Sequence, residues 1–365
     1  MKKHQAASGE VNNTRHETVW FQEVAKRKKA VLRLPPSLDA ISIASEFVIK
    51  GNTLILSPSI SGAHKLAAGL KRMGLHVSVV PEQWQNAAVG GSVVGSRSAA
   101  FAPIVDLSAV VVFDEHDNSY QEERTPTWNA RDVVIERANR KEIPCLLISA
   151  IPSLEALSWG YQIKLPRKEE REGWPIVEII DRRVDDPTRS GLLSEKLTSI
   201  LRESEGPVIC ILNRKGRSRL LACDRCGSLA RCEKHQIPLT QREDHALECT
   251  SGCENRPVVC DFCGSTKFKN LRAGIARLRE ELQALSKKKV VEISSDSKGE
   301  IPDSDIYIGT EAALHRVERA SHIVFLEFDQ ELLAPRFRAA EQAASLLIRS
   351  ARILGKRNEG GRLIV

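Results

Sequence analysis

Seven of the nine cysteines in this 365-residue chain lie between Cys223 and Cys263, and with His235 they form four close pairs. The pairs are Cys223 with Cys226, Cys232 with His235, Cys249 with Cys253, and Cys260 with Cys263. A tight turn can aim two ligands so spaced at one ion, and two such pairs complete a tetrahedral Zn(II) site. The four pairs therefore predict two zinc ions per chain. With every position filled by protein, neither ion keeps an open place for water, so both are read as structural and not as Lewis-acid catalysts. Residues 221–265 contain few large apolar side chains and are predicted to need the metal to fold. Spacing alone leaves the pairing open: the first four ligands could share one ion and the last four the other, or the outer pairs could enclose the inner ones. It also leaves His245 as an alternative to His235. Disulfides are disfavoured because the chain starts Met1-Lys2-Lys3-His4-Gln5 with no apolar leader, which points to a reducing compartment. Cys145 and Cys210 sit inside apolar runs and read as inert core thiols.

On both sides of the cysteines, short apolar runs alternate with amphipathic stretches. Residues 53–56, 77–80, 92–94, 109–113 and 145–149 read as strands, and 63–73 and 128–139 as helices. After the cluster come a helix over 275–285, strands over 290–293, 306–308 and 323–328, and a last helix over 339–354. This alternation predicts parallel α/β sheets. The expected organisation is a polar leader (1–28), a first lobe (29–190), the start of a second lobe (191–220), a zinc-binding insertion (221–265) and the remainder of the second lobe (266–365).

Lys and Arg total 54 against 47 Asp and Glu, a net charge of +7. The excess is concentrated around the cysteines: Arg214, Lys215, Arg217 and Arg219 precede them, and a second basic stretch runs from Lys267 to Lys289. Positive charge beside a compact metal module suits a phosphate backbone. Trp84, Trp128, Trp159 and Trp174 could stack on bases, but so few aromatics more often serve packing. No apolar run approaches the length of a membrane span, so a cytoplasmic protein with no membrane partner is expected.

Several segments, read in order, resemble the helicase core of the PriA family of replication restart proteins, superfamily 2 DNA helicases. Gly95 to Pro103 resembles the family's GTRSALFAP, Glu115 to Tyr120 its EEHDSSY, Ala130-Arg131-Asp132 its HARD, and Ser149 to Glu155 its SATPSLE. Asn213 to Gly216 resembles NRRG, Gly309-Thr310 the start of GTQ, and Asp329 to Glu341, with Leu332, Pro335, Phe337-Arg338-Ala339 and Glu341, the DxxLxxPxFRAxE pattern. The resemblance runs from about residue 30 to the C-terminus. It implies two RecA-like helicase-type lobes with an inserted double-zinc module. It also implies the nested pairing, Cys223, Cys226, Cys260 and Cys263 enclosing Cys232, His235, Cys249 and Cys253. The family's amino-terminal DNA-binding region, winged helix and final domain are expected to have no counterpart here.

The parts that would bind and split a nucleotide are altered. A phosphate loop needs glycines, a lysine and a Ser or Thr hydroxyl, whereas the corresponding segment reads Leu34-Pro35-Pro36-Ser37-Leu38-Asp39. Ungapped alignment puts Phe113 at the Mg(II)-coordinating acid and Asp114 at the catalytic glutamate. The family's arginine-finger segment becomes Arg349-Ser350-Ala351-Arg352, read as a solvated helix face. The expectation is a restart primosome protein that binds branched or single-stranded DNA at replication forks, with primosome proteins and the replicative helicase as partners. It is expected to lack ATPase and helicase activity of its own, with DNA contacts from Arg97, Arg214, Lys215, Arg217 and Arg219. An active 3′ to 5′ helicase with an atypical nucleotide site and a zinc-ribbon scaffold for proteins alone are the competing readings.

Overall fold

The computed structural model describes residues 14–181, 193–213, 221–235, 239–241, 246–249, 251–270, 275–293, 297, 299–334 and 337–365. The chain divides into two compact units, one spanning residues 1–176 with 332–360 and the other 177–331 with 361–365.

The first unit is built on seven strands: β1 (Lys29–Arg33), β2 (Thr53–Leu56), β3 (Val77–Val80), β4 (Ser92–Gly95), β5 (Ala109–Phe113), β6 (Cys145–Ser149) and β7 (Tyr161–Ile163). They lie in the order β3-β4-β2-β5-β6-β1-β7, and every neighbouring pair is parallel. Successive side chains on a strand point to opposite faces, and the two faces carry separate cores. Leu32, Ile55, Val111 and Ile148 enter one apolar cluster, with Phe47 and Leu70 from the helices Ala40–Lys50 and Ile60–Arg72. Val31, Leu54, Val110 and Leu147 enter the other, with Val134 and Ala138 from the helix Ala130–Lys141. A parallel sheet covered on both faces favours apolar residues at successive strand positions, which is why the inner strands β2 and β5 read as nearly continuous apolar runs.

Strand ends follow local chemistry. Ser59 and Asn129 cap the two following helices with their side chains, so these begin at Ile60 and Ala130 rather than at the expected 63 and 128. Trp128–Asn129 instead pairs with Gln121–Glu122 as a two-residue ribbon. Gly95, ending β4, packs so closely that an added Cβ would lie 2.8 Å from the Val80 carbonyl oxygen and 2.5 Å from the Ala99 Cβ. A helix, Thr14–Arg27, precedes β1 and buries Val24 in the first core. The remainder of the expected leader lies outside the described residues.

In the second unit, β8 (Ile176–Glu178), β9 (Val208–Ile211), β10 (Val290–Ile293), β11 (Ile306–Gly309), β12 (His322–Phe325) and β13 (Arg362–Ile364) form a sheet ordered β8-β13-β12-β9-β11-β10. The pairs from β13 through β10 are parallel. β12 stops at Phe325, short of the expected 328, because residues 326–328 turn into the helix Asp329–Leu332. The cysteine-bearing module interrupts this unit between β9 and β10. Its outer part is the antiparallel pair Leu221–Cys223 with Phe268–Asn270, and its inner part the ribbon of Thr240–Gln241, Ala246–Glu248 and Arg256–Pro257. Both expectations hold: parallel α/β lobes, and a module inserted in the second. The last helix, Ala339–Leu354, has the expected bounds, but it belongs to the first unit and not to the second lobe.

Candidate metal centres and altered motor segments

The eight sequence-derived ligands fall into two groups of four, each with its ligand atoms within 4.8 Å of one another. One holds Cys223, Cys226, Cys260 and Cys263, and the other Cys232, His235, Cys249 and Cys253. The grouping is the nested one. In the outer group both halves share one backbone design. The amides of Gly227 and Gly264 each donate to the carbonyl of the first cysteine of their pair at 2.9 Å. Both glycines adopt positive φ (73° and 69°), which lets the chain reverse and bring the second thiol alongside the first.

Across the group, Cys223 Sγ lies 3.4 Å from Cys263 Sγ, and Cys226 Sγ lies 3.6 Å from Cys260 Sγ. These distances exceed a disulfide bond and approach the roughly 3.8 Å edge of a tetrahedron with Zn–S near 2.3 Å. In the inner group, His235 Nδ1 lies 3.4 Å from Cys253 Sγ, 3.6 Å from Cys249 Sγ and 3.7 Å from Cys232 Sγ. A tetrahedron with one nitrogen has N···S edges of about 3.6 Å. The donor sets and spacing therefore fit two zinc ions, the inner bound through His235 Nδ1. Backbone amides, those of Cys226 and His235 first, lower the Cys223 and Cys232 thiols to about 6. Against the Ser228 amide, the neighbouring thiols push Cys226 up to about 12, and burial pushes Cys253 up to about 11. Burial also pushes Cys145 and Cys210 up to about 12, as inert core thiols should be. His245 lies outside the described residues.

In the first unit, the segment after β1 is closed on itself. Pro35 and Pro36 have no amide hydrogen, the Ser37 amide donates to the Gly173 carbonyl (3.2 Å), and the Leu38 amide donates to that of Pro35 (3.2 Å). Asp39 then caps the next helix, accepting from the Ile41 amide at 2.8 Å and the Ser42 hydroxyl at 2.7 Å. A phosphate loop works through several free amides converging on one anion. Here two positions have no amide hydrogen, and the amides of Ser37 and Leu38 are already bonded.

The segment after β5 is altered in a different way. Phe113 is buried in the same apolar cluster as Leu34. Asp114 takes a left-handed conformation (φ 48°) that turns the chain after the strand. Glu115 is sealed inside: it accepts from Arg131 Nη1 at 3.0 Å, the Ser153 amide at 2.6 Å and the Ser153 hydroxyl at 2.8 Å. Arg131 and Ser153 belong to the segments resembling HARD and SATPSLE, so three motif-like segments meet in one buried network. Their residues were visible in the sequence, but their meeting depends on strands 30 residues apart in the chain becoming neighbours. His116 Nδ1 lies 2.7 Å from the Ser149 hydroxyl, and burial holds its imidazole below its ordinary value.

Arg349 and Arg352 both meet acids, although the Arg352 side chain stays exposed. Arg352 donates to Asp114 at 2.6 Å and Arg349 to Asp117 at 3.2 Å. The Asp114 carboxylate beside it raises Arg352 above the usual guanidinium value. Burial opposes the charge on Asp117, but the Ser119 amide and Arg349 hold it below the ordinary carboxylate value. Arg97, expected to touch DNA, is partly exposed and within its own lobe pairs with Glu122 at 3.0 Å and donates to the Gln121 carbonyl at 2.7 Å. Arg214, Lys215, Arg217 and Arg219 lie outside the described residues. Trp128 packs edge-on against Phe101.

No protein-family model matches the sequence. The replication restart protein PriA of Haemophilus influenzae is 27% identical over 95% of this chain and 49% of its own length. That of Bacillus subtilis is 29% identical over 75% of this chain and 37% of its own, and a probable PriA of Mycobacterium tuberculosis 30% over 75% and 46%. The chain is PriA-like. It spans half or less of the length of these PriA relatives. Among solved structures, yeast Dbp5 bound to RNA and ADP BeF3 aligns over 93% of this chain and 78% of its own at 12% identity, with a TM-score of 0.47. Among the described residues, no helix is long and apolar enough to cross a membrane.

Proposed function

We propose that this PriA-like chain binds stalled or branched replication-fork DNA in the cytoplasm. There it promotes primosome assembly and loading of the replicative helicase, with two structural zinc ions and no ATPase or helicase activity of its own. The replication restart role rests on the similarity to PriA. One observation supports the absence of a motor: the segment after β1 has two prolines without donors and two amides already bonded, and Asp114 and Asp117 after β5 are paired with Arg352 and Arg349. An arginine finger and a phosphate loop act by meeting phosphate charge, and neither partner is free to do so here.

The cysteine module supports nucleic acid as the partner. Phe262, at the tip of one outer turn, is 85% exposed, and Arg225 occupies the equivalent place in the other turn and is also exposed. An exposed aromatic beside cations suits a strand that offers bases to stack on and phosphates to pair with.

Calorimetry of the zinc-loaded chain with ATP and Mg(II), followed by forked-DNA binding at two salt concentrations, tests the proposal. The expected result is no nucleotide binding together with fork binding that weakens steeply from about 50 to 200 mM salt. Micromolar ATP binding with DNA-stimulated hydrolysis would restore the motor, and salt-independent or absent fork binding would leave only a protein scaffold.

A further inference from the structure

Residues 332–360 are part of the first unit although the sequence separates them from residues 1–176 by β9 to β12 of the second sheet. Three arginines of this segment each meet an acid from a motif-like segment: Arg338 pairs with Glu155, Arg349 with Asp117 and Arg352 with Asp114. Arg349 and Arg352 stand three residues apart and so share one face of the helix. Ala343, Leu346, Ala351 and Leu354 of the same helix are buried. The acids are fixed in turn. Asp117 accepts from the Ser119 amide at 2.9 Å, and the Asp117 amide donates to the Asp114 carbonyl at 2.8 Å, so the two carboxylates stand on one short turn.

We propose that Asp114 and Asp117 are built-in counter-anions that clamp the helix Ala339–Leu354 onto the first unit without a nucleotide. Where an arginine finger reaches the phosphate charge of a bound nucleotide in a working NTPase, the anion it reaches here is a carboxylate of the chain itself. The clamp is constitutive: it is closed in the absence of ligand, weakened by salt, and indifferent to ATP. It concerns how residues 332–360 are held and stands whether or not the chain binds DNA.

Hydrogen exchange on the full zinc-loaded chain reads the clamp directly. Arg352→Gln and Asp114→Asn should each speed exchange of the Ala339–Leu354 amides by about five- to tenfold, with β3 and β4 unchanged as the internal control. The double variant should exchange no faster than the faster single one, because both remove the same interaction. Unchanged exchange in the single variants, or effects that simply add, would overturn the clamp. If a variant fails to fold, the unmodified chain serves. Raising sodium chloride from about 0.05 to 0.5 M should speed exchange in this helix selectively, and a salt-independent helix would refute the proposal. Adding Mg-ATP should change nothing; slowed exchange in the helix would show that a nucleotide closes it.

Discussion

In the first unit, alternate residues of the inner strands enter two apolar layers, whereas among the described residues of the cysteine module one small cluster gathers only Leu221, Ala230, Leu239, Leu247 and two of the cysteines as buried members. The first region is held by area removed from water, whereas the second, with so small a cluster, is expected to depend on ligation. The difference explains which residues have been free to change. Where the resemblance implies a Mg(II)-binding acid stands Phe113, and where it implies a phosphate loop stand Pro35-Pro36; neither disturbs the layers of the sheet. In the module all eight candidate ligands are present, as expected where ligation takes the place of a core.

Removing the metals should separate the regions most sharply. Apparent binding of a structural zinc is worth about 10–16 kcal/mol near neutral pH, so chelation should unfold the module and open it to protease while residues 29–176 stay protected. Simultaneous loss of both regions would show that the distinction is wrong. Cobalt substitution refines it: Cys226→Ser and Cys260→Ser should each leave one intact site with the same three-sulfur, one-nitrogen spectrum. Different residual spectra would contradict the nested grouping.

The next largest effect falls inside the first unit. Arg131→Met leaves the buried Glu115 without its cation, which should cost about 3–5 kcal/mol, read as a lowered denaturation midpoint. Adding Glu115→Leu should recover part of the loss, because it removes the uncompensated charge but leaves the buried Ser153 amide without its acceptor. No recovery would mean that this network, and not the apolar layers, holds the region.

The smallest effect is on acid stability. The His116 imidazole titrates below its ordinary 6.5 in the folded chain, so the unfolded chain takes up the proton first as pH falls. Stability should therefore decline from about pH 6.5 downward until the folded value is reached. Asp117, held below 3.8, adds stability above that value that is lost as pH falls through its folded value. His116→Gln should flatten the upper part of the profile in the first unit, followed by hydrogen exchange; an unchanged slope would assign it elsewhere.

Much of this could be read from the sequence where the physics is local. β2, β3 and β5 were expected at their observed bounds because a strand covered on both faces is a nearly continuous apolar run, and the four ligand pairs because a turn fixes their spacing. β7, β8 and β13 escaped notice because three residues carry too little periodicity. The distant pairings were hidden for another reason. The spacing of Arg349 and Arg352 shows that they share a helix face, but nothing local says that the face meets Asp114 and Asp117, more than 230 residues earlier. The same holds for Glu115 with Arg131 and Ser153, and for Arg97 with Glu122.

The nested grouping of the cysteines also sets an order of assembly. The outer pair Cys223 and Cys263 is 40 residues apart, and the inner pair Cys232 and Cys253 is 21 apart and lies within that span. Closing a loop becomes harder as it lengthens, so the inner ion is favoured to arrive first, and its arrival shortens the path the outer pair must close. Synthesis runs the same way, because all four inner ligands leave the ribosome before Cys260 and Cys263 do. Filling thus proceeds from the inside out. Metal starvation should empty the module in the reverse sequence, with a half-filled species that retains its His235 site as the intermediate.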